Sequence, residues 1–510
     1  MQTLSELLKN TADRYPDKTF IVYEDQRITY KEFDEKTSQF ANALRSLGVK
    51  KGDVVGLYLP SCPELAIGYY ACQKLGAIAN PMSAMFKGRE VDNVVSRTSM
   101  PVIVTSMDNY SIVQEVQSRV VTLKEIIVSG APENSGLLSM EQLIQQSSKE
   151  IELVKCDIDD VAVLFFTSGT TGLPKGAMQT HKSIYSTIRD MEVFWKFEHG
   201  KEVILGVLPI FNNFGATVNM NAAIFNGGTM VLIKRWDTEK VLEAITAEKA
   251  TFFAGTPTMF LYLIQKFNAA KYDVSSLKLL ITGGSIVPPE IIEKVEKELE
   301  VKLIQVYGAT ETSGVNNAEP LVGIRKKGST GVPIGSITIK IVNEAGEEVP
   351  VGEIGEVVIK GDPVGIGYWK DIETTKKAFK EDGWYSGDLG YVDEDGYLYI
   401  VDRKKDIIIC GGNNIFPIEV EDVLYTLPEV GVAAVVGIPD EAKGEVPKAF
   451  LVLNEGAKIT EEEVIAYCRK NLSAYKIPRM VEFISEMPMN LNGKILKREL
   501  KNWHTRKQTN

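Results

Sequence analysis

The sequence predicts an α/β protein with three parts: a large N-terminal domain of parallel-sheet α/β subdomains, a β-rich subdomain within it, and a small α+β C-terminal domain. Strand patterns alternate with helical patterns through the opening third, and glycine becomes frequent from about residue 325. A charged segment at 402–406 then separates two apolar strands. Alternation of this kind is typical of parallel sheets that helices cover on both faces.

The opening third gives the clearest alternation. Apolar residues at helical spacing predict a helix over 31–47 that Gly48 ends, and a short apolar run predicts a buried strand over 54–59. A helix over 63–75 and a strand over 77–81 follow. The same pattern predicts further strands at 203–208, 229–233 and 277–281.

The composition changes at two later points. Short strands such as 356–360 lie between glycine turns, which predicts a β-rich subdomain over about 325–403. Beyond the charged segment, strands are predicted at 431–438 and 448–453, and a helix begins with the capping box Thr460–Glu463. We therefore predict an N-terminal domain over 1–403 and a C-terminal domain over 404–510.

Charge and composition exclude several classes of function. The formal net charge of −11 and the lack of a long Lys/Arg run argue against a nucleic-acid partner. Five scattered cysteines and three histidines make a zinc site improbable and suit a reducing compartment. Because no stretch approaches 18 apolar residues and the N-terminus is charged, we expect a cytoplasmic protein without an integral membrane segment.

A loop rich in glycine and hydroxyl groups follows an apolar run at 161–166. It reads TSGTTGLPKG, with three glycines, four hydroxyls and one lysine. Backbone N–H groups and hydroxyls donate to phosphate oxygens, and Lys175 adds a full charge. The order Pro174-Lys175-Gly176 differs from the Gly-Lys-Ser/Thr ending of a P-loop. The predicted phosphate-binding residues are Thr167, Ser168, Gly169, Thr170, Thr171, Gly172 and Lys175.

With this loop the chain resembles the acyl-adenylate-forming superfamily, which includes acyl-CoA synthetases, peptide-synthetase adenylation domains and firefly-type luciferases. The resemblance covers almost the entire chain. The motif YGATET at 307–312 offers an aromatic face for adenine, a hydroxyl near phosphate and a carboxylate for Mg²⁺. The resemblance implies catalytic roles for Lys175, Thr310 and Glu311, with Glu311 as the metal ligand. The further nucleotide-binding residues it implies are Gly284, Ser285, Tyr307, Gly308, Asp388 and Arg403.

Other motifs concern ribose binding and domain motion. Asp388 ends the motif GWYSGD, in which the family's aspartate accepts hydrogen bonds from two ribose hydroxyls. Lys405 matches the position on which the family's C-terminal domain pivots. Gly411 and Gly412 match the loop that is brought to the active site for the thiol step. Lys494, in the motif NGK, matches the catalytic lysine that reaches the substrate carboxylate and the α-phosphate.

The acyl site contains one departure from the family. Acyl-CoA synthetases commonly carry histidine where this chain has Asn212, and asparagine cannot become cationic. Apart from this residue, Asn213 and Gln305, the residues that match the acyl pocket are small or apolar, which favours a neutral acyl tail. The predicted substrate-binding residues are Asn212, Asn213, Phe214, Gly283, Gln305 and Ala309.

The resemblance implies an ATP-dependent acid–thiol ligase that uses Mg²⁺ and coenzyme A and forms acyl-AMP, then acyl-CoA. The expected partners are a small-molecule carboxylic acid, ATP and CoA, and the expected acid is a medium- or long-chain fatty acid. An aryl or hydroxycinnamate-type CoA ligase is the second interpretation. An enzyme that loads an acyl carrier protein, a luciferase-like oxygenase and a non-catalytic nucleotide-binding protein stay open as alternatives.

Overall fold

The computed structural model describes residues 1–167, 174–284, 287, 289–440, 442–489 and 495–508, with side chains as far as His504. Within these ranges the strands form four sheets, which we call sheets I to IV. We use "N-terminal part" for residues up to Arg403, which contain sheets I to III. The "C-terminal part" is everything after Arg403 and contains sheet IV.

Sheet I has seven strands among the described residues, and the neighbours are parallel except for the last pair. The predicted strands over 54–59 and 77–81 lie in it, each shorter than predicted by one residue. The strand order is Leu138–Ser139, Glu125–Ser129, Val102–Ser106, Val54–Tyr58, Ile78–Pro81, Val161–Thr167 and Lys175–Thr180.

Sheet II has nine strands in the same described ranges. Its middle is parallel and both edges are antiparallel. The predicted strand over 277–281 is Leu279–Thr282, because the chain at 275–278 is still in the turn that leads into the sheet. The strand order is Val332–Pro333, Gly314–Ala318, Leu303–Ala309, Leu279–Thr282, Phe252–Gly255, Val203–Gly206, Thr229–Leu232, Thr19–Tyr23 and Gln26–Thr29.

Helices cover these sheets, and one buried core joins side chains of both. The helix Pro63–Leu75 has the predicted bounds, since a proline begins it and Gly76 ends it in the left-handed region at φ +64°. The described residues contain no helix long and apolar enough to cross a membrane. The helices of the N-terminal part are Leu4–Arg14, Tyr30–Ser46, Pro63–Leu75, Gly88–Thr98, Tyr110–Gln117, Met140–Gln146, His181–Trp195, Asn213–Gly215, Ala222–Asn226, Thr238–Glu248, Pro257–Lys266, Pro289–Leu299 and Ile372–Ala378.

Sheets III and IV follow in chain order. Sheet III agrees with the predicted β-rich subdomain, and sheet IV with its helices agrees with the predicted small α+β unit. Sheet III is antiparallel, and its strands are Thr338–Val342, Gly355–Lys360, Phe379–Lys380, Gly383–Val392 and Leu398–Arg403. Sheet IV contains Ile408–Cys410, Asn413–Ile415, Val430–Asp440, Gly444–Leu453 and Met480–Phe483. The helices of the C-terminal part are Pro417–Tyr425, Glu461–Asn471 and Lys497–Gln508. The boundary near residue 404 stays a prediction.

A buried ion pair joins two of the helices. Lys74 has a side chain that is 1% exposed, and its Nζ lies 2.7 Å from Asp34 Oδ1 and 2.7 Å from Ser38 Oγ. Replacement of Lys74 with alanine is expected to lower the free energy of unfolding by about 3 kcal/mol, because it leaves a carboxylate without its partner. Chemical denaturation followed by tryptophan fluorescence measures this. The exposed pair Lys249–Asp273 is the control: Lys249→Ala should cost less than about 1 kcal/mol.

A buried carboxylate near the end of helix His181–Trp195 makes stability depend on pH. Burial, aided by the charge of Glu202, raises the pKa of Glu192 to about 7, and His199 Nε2 lies 2.8 Å from Glu192 Oε1. The unfolded chain releases this proton near pH 4.3, so the free energy of unfolding falls as the pH rises from about 4 to about 7.

Glu192→Gln is therefore expected to stabilise the protein at pH 8 by about 3 kcal/mol and to have little effect at about pH 4. Denaturation curves at the two pH values measure the difference. Glu243→Gln, at an exposed position, is the control and should show no such dependence. A gain for Glu192→Gln that is the same at both pH values would contradict the account.

Candidate active site

The motif YGATET lies where the chain reverses at the end of a parallel strand. Tyr307, Gly308 and Ala309 end the strand Leu303–Ala309, a short 3₁₀ turn covers Thr310–Thr312, and the chain returns antiparallel as Gly314–Ala318. A Cβ atom on Gly308 would lie 1.7 Å from the carbonyl oxygen of Gly314. Only glycine therefore fits at this position. The turn that follows places Thr310 and Glu311 at the C-terminal end of the strand Leu303–Ala309.

The predicted ribose site brings together three residues that are far apart in the sequence. The hydroxyl of Tyr307 donates to Asp388 Oδ2 at 2.8 Å, and Arg403 Nε lies 3.2 Å from Asp388 Oδ1. Burial raises the pKa of Tyr307, so its hydroxyl stays protonated and donates. A cleft of about 300 Å³ opens beside this carboxylate, and its lining residues are Ser386, Gly387, Asp388, Arg403, Lys404 and Lys405.

A second group of side chains forms around Glu311 and Lys175. The hydroxyl of Tyr368 donates to Glu311 Oε1 at 2.9 Å, and Lys175 Nζ lies 5.3 Å from the centre of the Tyr368 ring. Burial raises the pKa of Glu311, while the Tyr368 hydrogen bond and the charge of Arg403 oppose the rise. Lys175, Glu311 and Arg403 thus face one region.

Tyr368 was not predicted. Its segment lies along the edge strand Lys175–Thr180: the N–H of Met178 donates to the carbonyl of Gly367 at 2.9 Å, and the N–H of Trp369 donates to that of Gly176 at 2.8 Å. The sequence signal was the aromatic pair Tyr368-Trp369 after the stretch Gly365-Ile366-Gly367. Nothing in that pattern indicates which strand the segment pairs with.

The residues around Glu311 fit a Mg²⁺ ion. Mg²⁺ usually binds one or two carboxylates together with substrate phosphates, so a full protein cage is not required. The described residues contain no group of three or more His, Cys, Asp or Glu side chains that could form such a cage. Glu311 is half-buried with a raised pKa, and a nearby cation would favour its charged form.

The predicted acyl segment is tied to the YGATET turn through Asn213. Asn213 is 5% exposed, and its Oδ1 accepts hydrogen bonds from Gln179 Nε2 at 2.8 Å and from Thr217 Oγ1 at 3.2 Å. Gln179 Nε2 also donates to the carbonyl of Thr310 at 2.7 Å, and Asn213 Nδ2 donates to that of Ala309 at 3.5 Å. Both the oxygen and the nitrogen of the Asn213 side chain are therefore bonded to neighbouring protein groups that support the site. Gln179, like Tyr368, was missed by sequence reasoning.

Other predicted acyl residues lie near one another. A Cβ atom on Gly283 would be 2.8 Å from Val306 Cγ2 and 3.6 Å from Phe214 Cζ, so the glycine keeps this space open. Gln305 is 3% exposed and pairs in register with Thr282 of the neighbouring strand. Asn212 is half-buried, and its backbone N–H donates to the carbonyl of Pro209 at 3.0 Å.

The remaining predicted residues are placed as follows. Gly284 has φ +84°, in the left-handed region. Gly411 and Gly412 form the turn between the strands Ile408–Cys410 and Asn413–Ile415 of sheet IV, and Lys405 is exposed. Thr167 ends the strand before the glycine-rich loop. The predictions that lie outside the described residues are Ser168, Gly169, Thr170, Thr171, Gly172, Ser285 and Lys494.

Two family models match the chain over the parts described above. The model of the AMP-binding enzyme matches residues 8–369, and that of the AMP-binding enzyme C-terminal domain matches residues 419–494. The chain belongs to the AMP-binding enzyme family. The resemblance to acyl-adenylate-forming enzymes is thereby confirmed.

Relatives of this AMP-binding enzyme are acyl-CoA ligases and synthetases. The chain is 35% identical to a long-chain-fatty-acid–CoA ligase of Bacillus subtilis, over 98% of this chain and 94% of the relative. It is 34% identical to the 4-coumarate–CoA ligase CCL1 of Humulus lupulus, over 93% and 88%. It is therefore an enzyme of the acyl-CoA ligase type.

Solved structures confirm the fold over the whole length. The anthranilate CoA ligase AuaEII in complex with anthranoyl-AMP matches with a TM-score of 0.92 at 27% identity, over 98% of this chain and 97% of that one. ATP-bound MatB from Rhodopseudomonas palustris matches with a TM-score of 0.91 at 28% identity, over 99% of each chain. The apo form of MatB matches with a TM-score of 0.80 at the same identity and coverage.

Proposed function

We propose that this AMP-binding enzyme is an ATP-dependent acid–thiol ligase that converts a medium- or long-chain fatty acid to acyl-AMP and then to acyl-CoA. The observation that carries the proposal is the placement of Asp388. Its carboxylate lies at the wall of a cleft, between the Tyr307 hydroxyl and the Arg403 guanidinium. A carboxylate held in this way can accept hydrogen bonds from the two hydroxyls of a ribose.

In the first step the substrate carboxylate attacks the α-phosphorus of ATP in line, and pyrophosphate leaves. Asp388 and Arg403 would hold the ribose, so that the α-phosphorus faces the acyl side of the site. Lys175 and Lys494 would stabilise the negative charge on the phosphates as the bond to pyrophosphate breaks. Mg²⁺ bound by Glu311 would add further positive charge to the phosphates.

In the second step the sulfur of CoA attacks the acyl carbon of the adenylate, a thioester bond forms and AMP leaves. The thiol proton is lost to solvent or to a base as the sulfur attacks. In this proposal the C-terminal part rotates about Lys405, so that Gly411 and Gly412 replace Lys494 at the site. A glycine turn suits this exchange, because backbone N–H groups can approach the substrate closely.

The acyl side of the site supports the proposed substrate class. Phe214, Gly283 and Val306 lie together there, and none of them carries a charge. A second carboxylate on the substrate would therefore lose its hydration without gaining a charged partner from these three residues. A fatty acyl tail fits, and the long-chain-fatty-acid–CoA ligase relative supports it.

An aryl acid is the second candidate, and a specific observation favours it. The 4-coumarate–CoA ligase relative is nearly as similar as the fatty-acid ligase, and the anthranilate CoA ligase shares the whole-chain arrangement. Phe214 beside Gly283 could stack on a planar ring. The choice between the two classes depends on the depth of the acyl pocket.

The test is pyrophosphate release from ATP and Mg²⁺ across matched panels of fatty and aryl acids, with and without CoA. The proposal expects release with fatty acids of one length range and formation of the corresponding acyl-CoA. Release with aryl acids alone would favour the second candidate. Adenylate formation with no thioester to CoA would favour an acyl carrier protein as acceptor. No release with any acid would overturn the proposal.

A further inference from the structure

A cluster of charged side chains lies where the C-terminal part joins the N-terminal part, outside the residues that the reaction uses. We call Asp402, Glu421 and Lys497 the junction cluster. Asp402 belongs to the strand Leu398–Arg403 of sheet III, Glu421 to the helix Pro417–Tyr425, and Lys497 begins the helix Lys497–Gln508. Asp402 is 7% exposed and Glu421 is 8% exposed, so both carboxylates are removed from water.

Each carboxylate of the cluster has specific partners. Lys497 Nζ lies 2.8 Å from Glu421 Oε1, which also accepts the N–H of Val435 at 2.7 Å. Asp402 Oδ2 accepts the N–H of Ile418 at 3.2 Å, near the start of the helix Pro417–Tyr425. The cluster thus connects sheet III to two helices of the C-terminal part.

Lys497 supplies the positive charge of the cluster. Burial raises the pKa of Asp402 to about 6, and the positive charge of Lys497 is the main influence that opposes this rise. Burial lowers the pKa of Lys497, but Glu421, Asp402 and Asp406 outweigh burial and raise it. The ammonium group therefore stays charged. Removing one member of a buried ion cluster leaves the others without compensation, which makes the arrangement sensitive to each member.

The contacts of the cluster differ in how a rotation about Lys405 would affect them. Lys497 and Glu421 both follow Lys405 in the chain, so their ion pair moves as one body. Asp402 precedes Lys405. A rotation would carry the N–H of Ile418 away from the Asp402 carboxylate and would change the electrostatic interaction of that carboxylate with the ammonium of Lys497. We therefore expect the hydrogen bond between Ile418 and Asp402 in only one orientation of the C-terminal part, and the pair Lys497–Glu421 in both.

We infer that Lys497 and Asp402 form a latch that holds the C-terminal part in the orientation used for acyl-adenylate formation. The inference rests on the proposed function, in which the C-terminal part changes orientation between the two steps. The whole chain matches ATP-bound MatB with a TM-score of 0.91 and apo MatB with a TM-score of 0.80. Lys497 also lies three residues after Lys494, the lysine that the family resemblance gives to the adenylation step. Both latch residues are positioning residues.

The test measures the two half-reactions of Lys497→Met separately. Acid-dependent exchange of pyrophosphate into ATP reports adenylate formation, and supplied acyl-adenylate with CoA reports thioester formation. We expect pyrophosphate exchange to fall about tenfold and thioester formation to change less than about twofold. The reason is that the substitution destabilises only the orientation used for adenylate formation. Asp402→Asn should give the same split, and Lys497→Arg should restore exchange. Equal loss of both half-reactions, or loss of neither, would overturn the latch.

A matched control and a readout without turnover complete the test. Lys476 Nζ lies 2.7 Å from Glu419 Oε2, and both residues belong to the C-terminal part, so Lys476→Met should leave the split unchanged. Hydrogen–deuterium exchange at the backbone of Ile418 should be faster in Lys497→Met and Asp402→Asn and unchanged in Lys476→Met. If hydrogen–deuterium exchange at Ile418 is unchanged in Lys497→Met, the latch is overturned and the proposed function is not. A wild-type protein that exchanges no pyrophosphate with any acid instead overturns the proposed function, and with it the latch's role in adenylation.

Discussion

Replacement of Glu311 with glutamine is expected to lower kcat for acid-dependent pyrophosphate release by about 100-fold or more. The substitution keeps the shape of the side chain and removes its negative charge. Glu311 is half-buried, accepts a hydrogen bond from Tyr368 and faces the region that Lys175 also faces. An amide there can neither bind a cation strongly nor balance the charges around the phosphates.

Tyr368→Phe is the matched control for this prediction. It removes the hydroxyl that donates to Glu311 Oε1 but keeps the ring beneath Lys175. We expect an effect of about fivefold, since one hydrogen bond to a charged group is lost. Adding Tyr368→Phe to the Glu311→Gln enzyme should lower kcat by less than about fivefold, because the two side chains act as a pair. A Glu311→Gln enzyme with kcat within about threefold of wild type would contradict the assigned role, provided that its thermal unfolding is unchanged.

Local sequence patterns predicted the helices and strands of this fold more reliably than they predicted which strands lie next to each other. The helix Pro63–Leu75 was predicted to the residue, because a proline can only begin it and Gly76 ends it with a left-handed backbone. The hairpin Thr19–Tyr23 and Gln26–Thr29 joins sheet II beside Thr229–Leu232, about 200 residues later in the chain. No local pattern contains that pairing, since it depends on how the layers pack.

The site shows the same difference. Tyr307, Asp388 and Arg403 were predicted from motif resemblance, and the structure brings their side chains together. Tyr368 and Gln179 were missed because each gains its place only through tertiary contacts. Tyr368 reaches Glu311 because its segment pairs with an edge strand of sheet I, and Gln179 lies in that same strand. A motif therefore identifies the residues proposed to touch the substrate better than the residues that hold those side chains in place.

Asn213 illustrates what a sequence leaves open about a polar residue. It was predicted to bind substrate because it lies in the segment that matches the acyl pocket. In the structure its amide bonds to Gln179, Thr217 and the carbonyl of Ala309, all of which belong to the framework. The sequence shows that an amide is present, but burial and partners decide whether it faces a ligand or a neighbouring strand.

Asp388→Asn is expected to raise KM for ATP by about 50-fold or more, with a smaller change in kcat. The asparagine keeps the volume of the side chain but loses the charge that pairs with Arg403 and one of two acceptor oxygens. Asp388 is 7% exposed and already accepts the Tyr307 hydroxyl, so the lost acceptor cannot be replaced by water without rearrangement. In the proposed function the ribose is bound alike in the ground state and the transition state, so KM should respond more than kcat.

Asp382→Asn is the control, because it changes a similar pair outside the cleft. There the hydroxyl of Tyr385 donates to Asp382 Oδ2 at 2.9 Å. Tyr385 lies in the same strand as Asp388, and Asp382 lies in the turn before that strand. We expect KM for ATP to stay within about twofold of wild type in this variant. Tyr307→Phe should raise KM by a few fold, since Asp388 keeps its charge and its pairing with Arg403. If Asp388→Asn and Asp382→Asn raised KM equally, Asp388 would only support sheet III. A rise confined to Asp388→Asn, with ATP protecting wild type but not the variant against thermal unfolding, would place the ribose of ATP on Asp388.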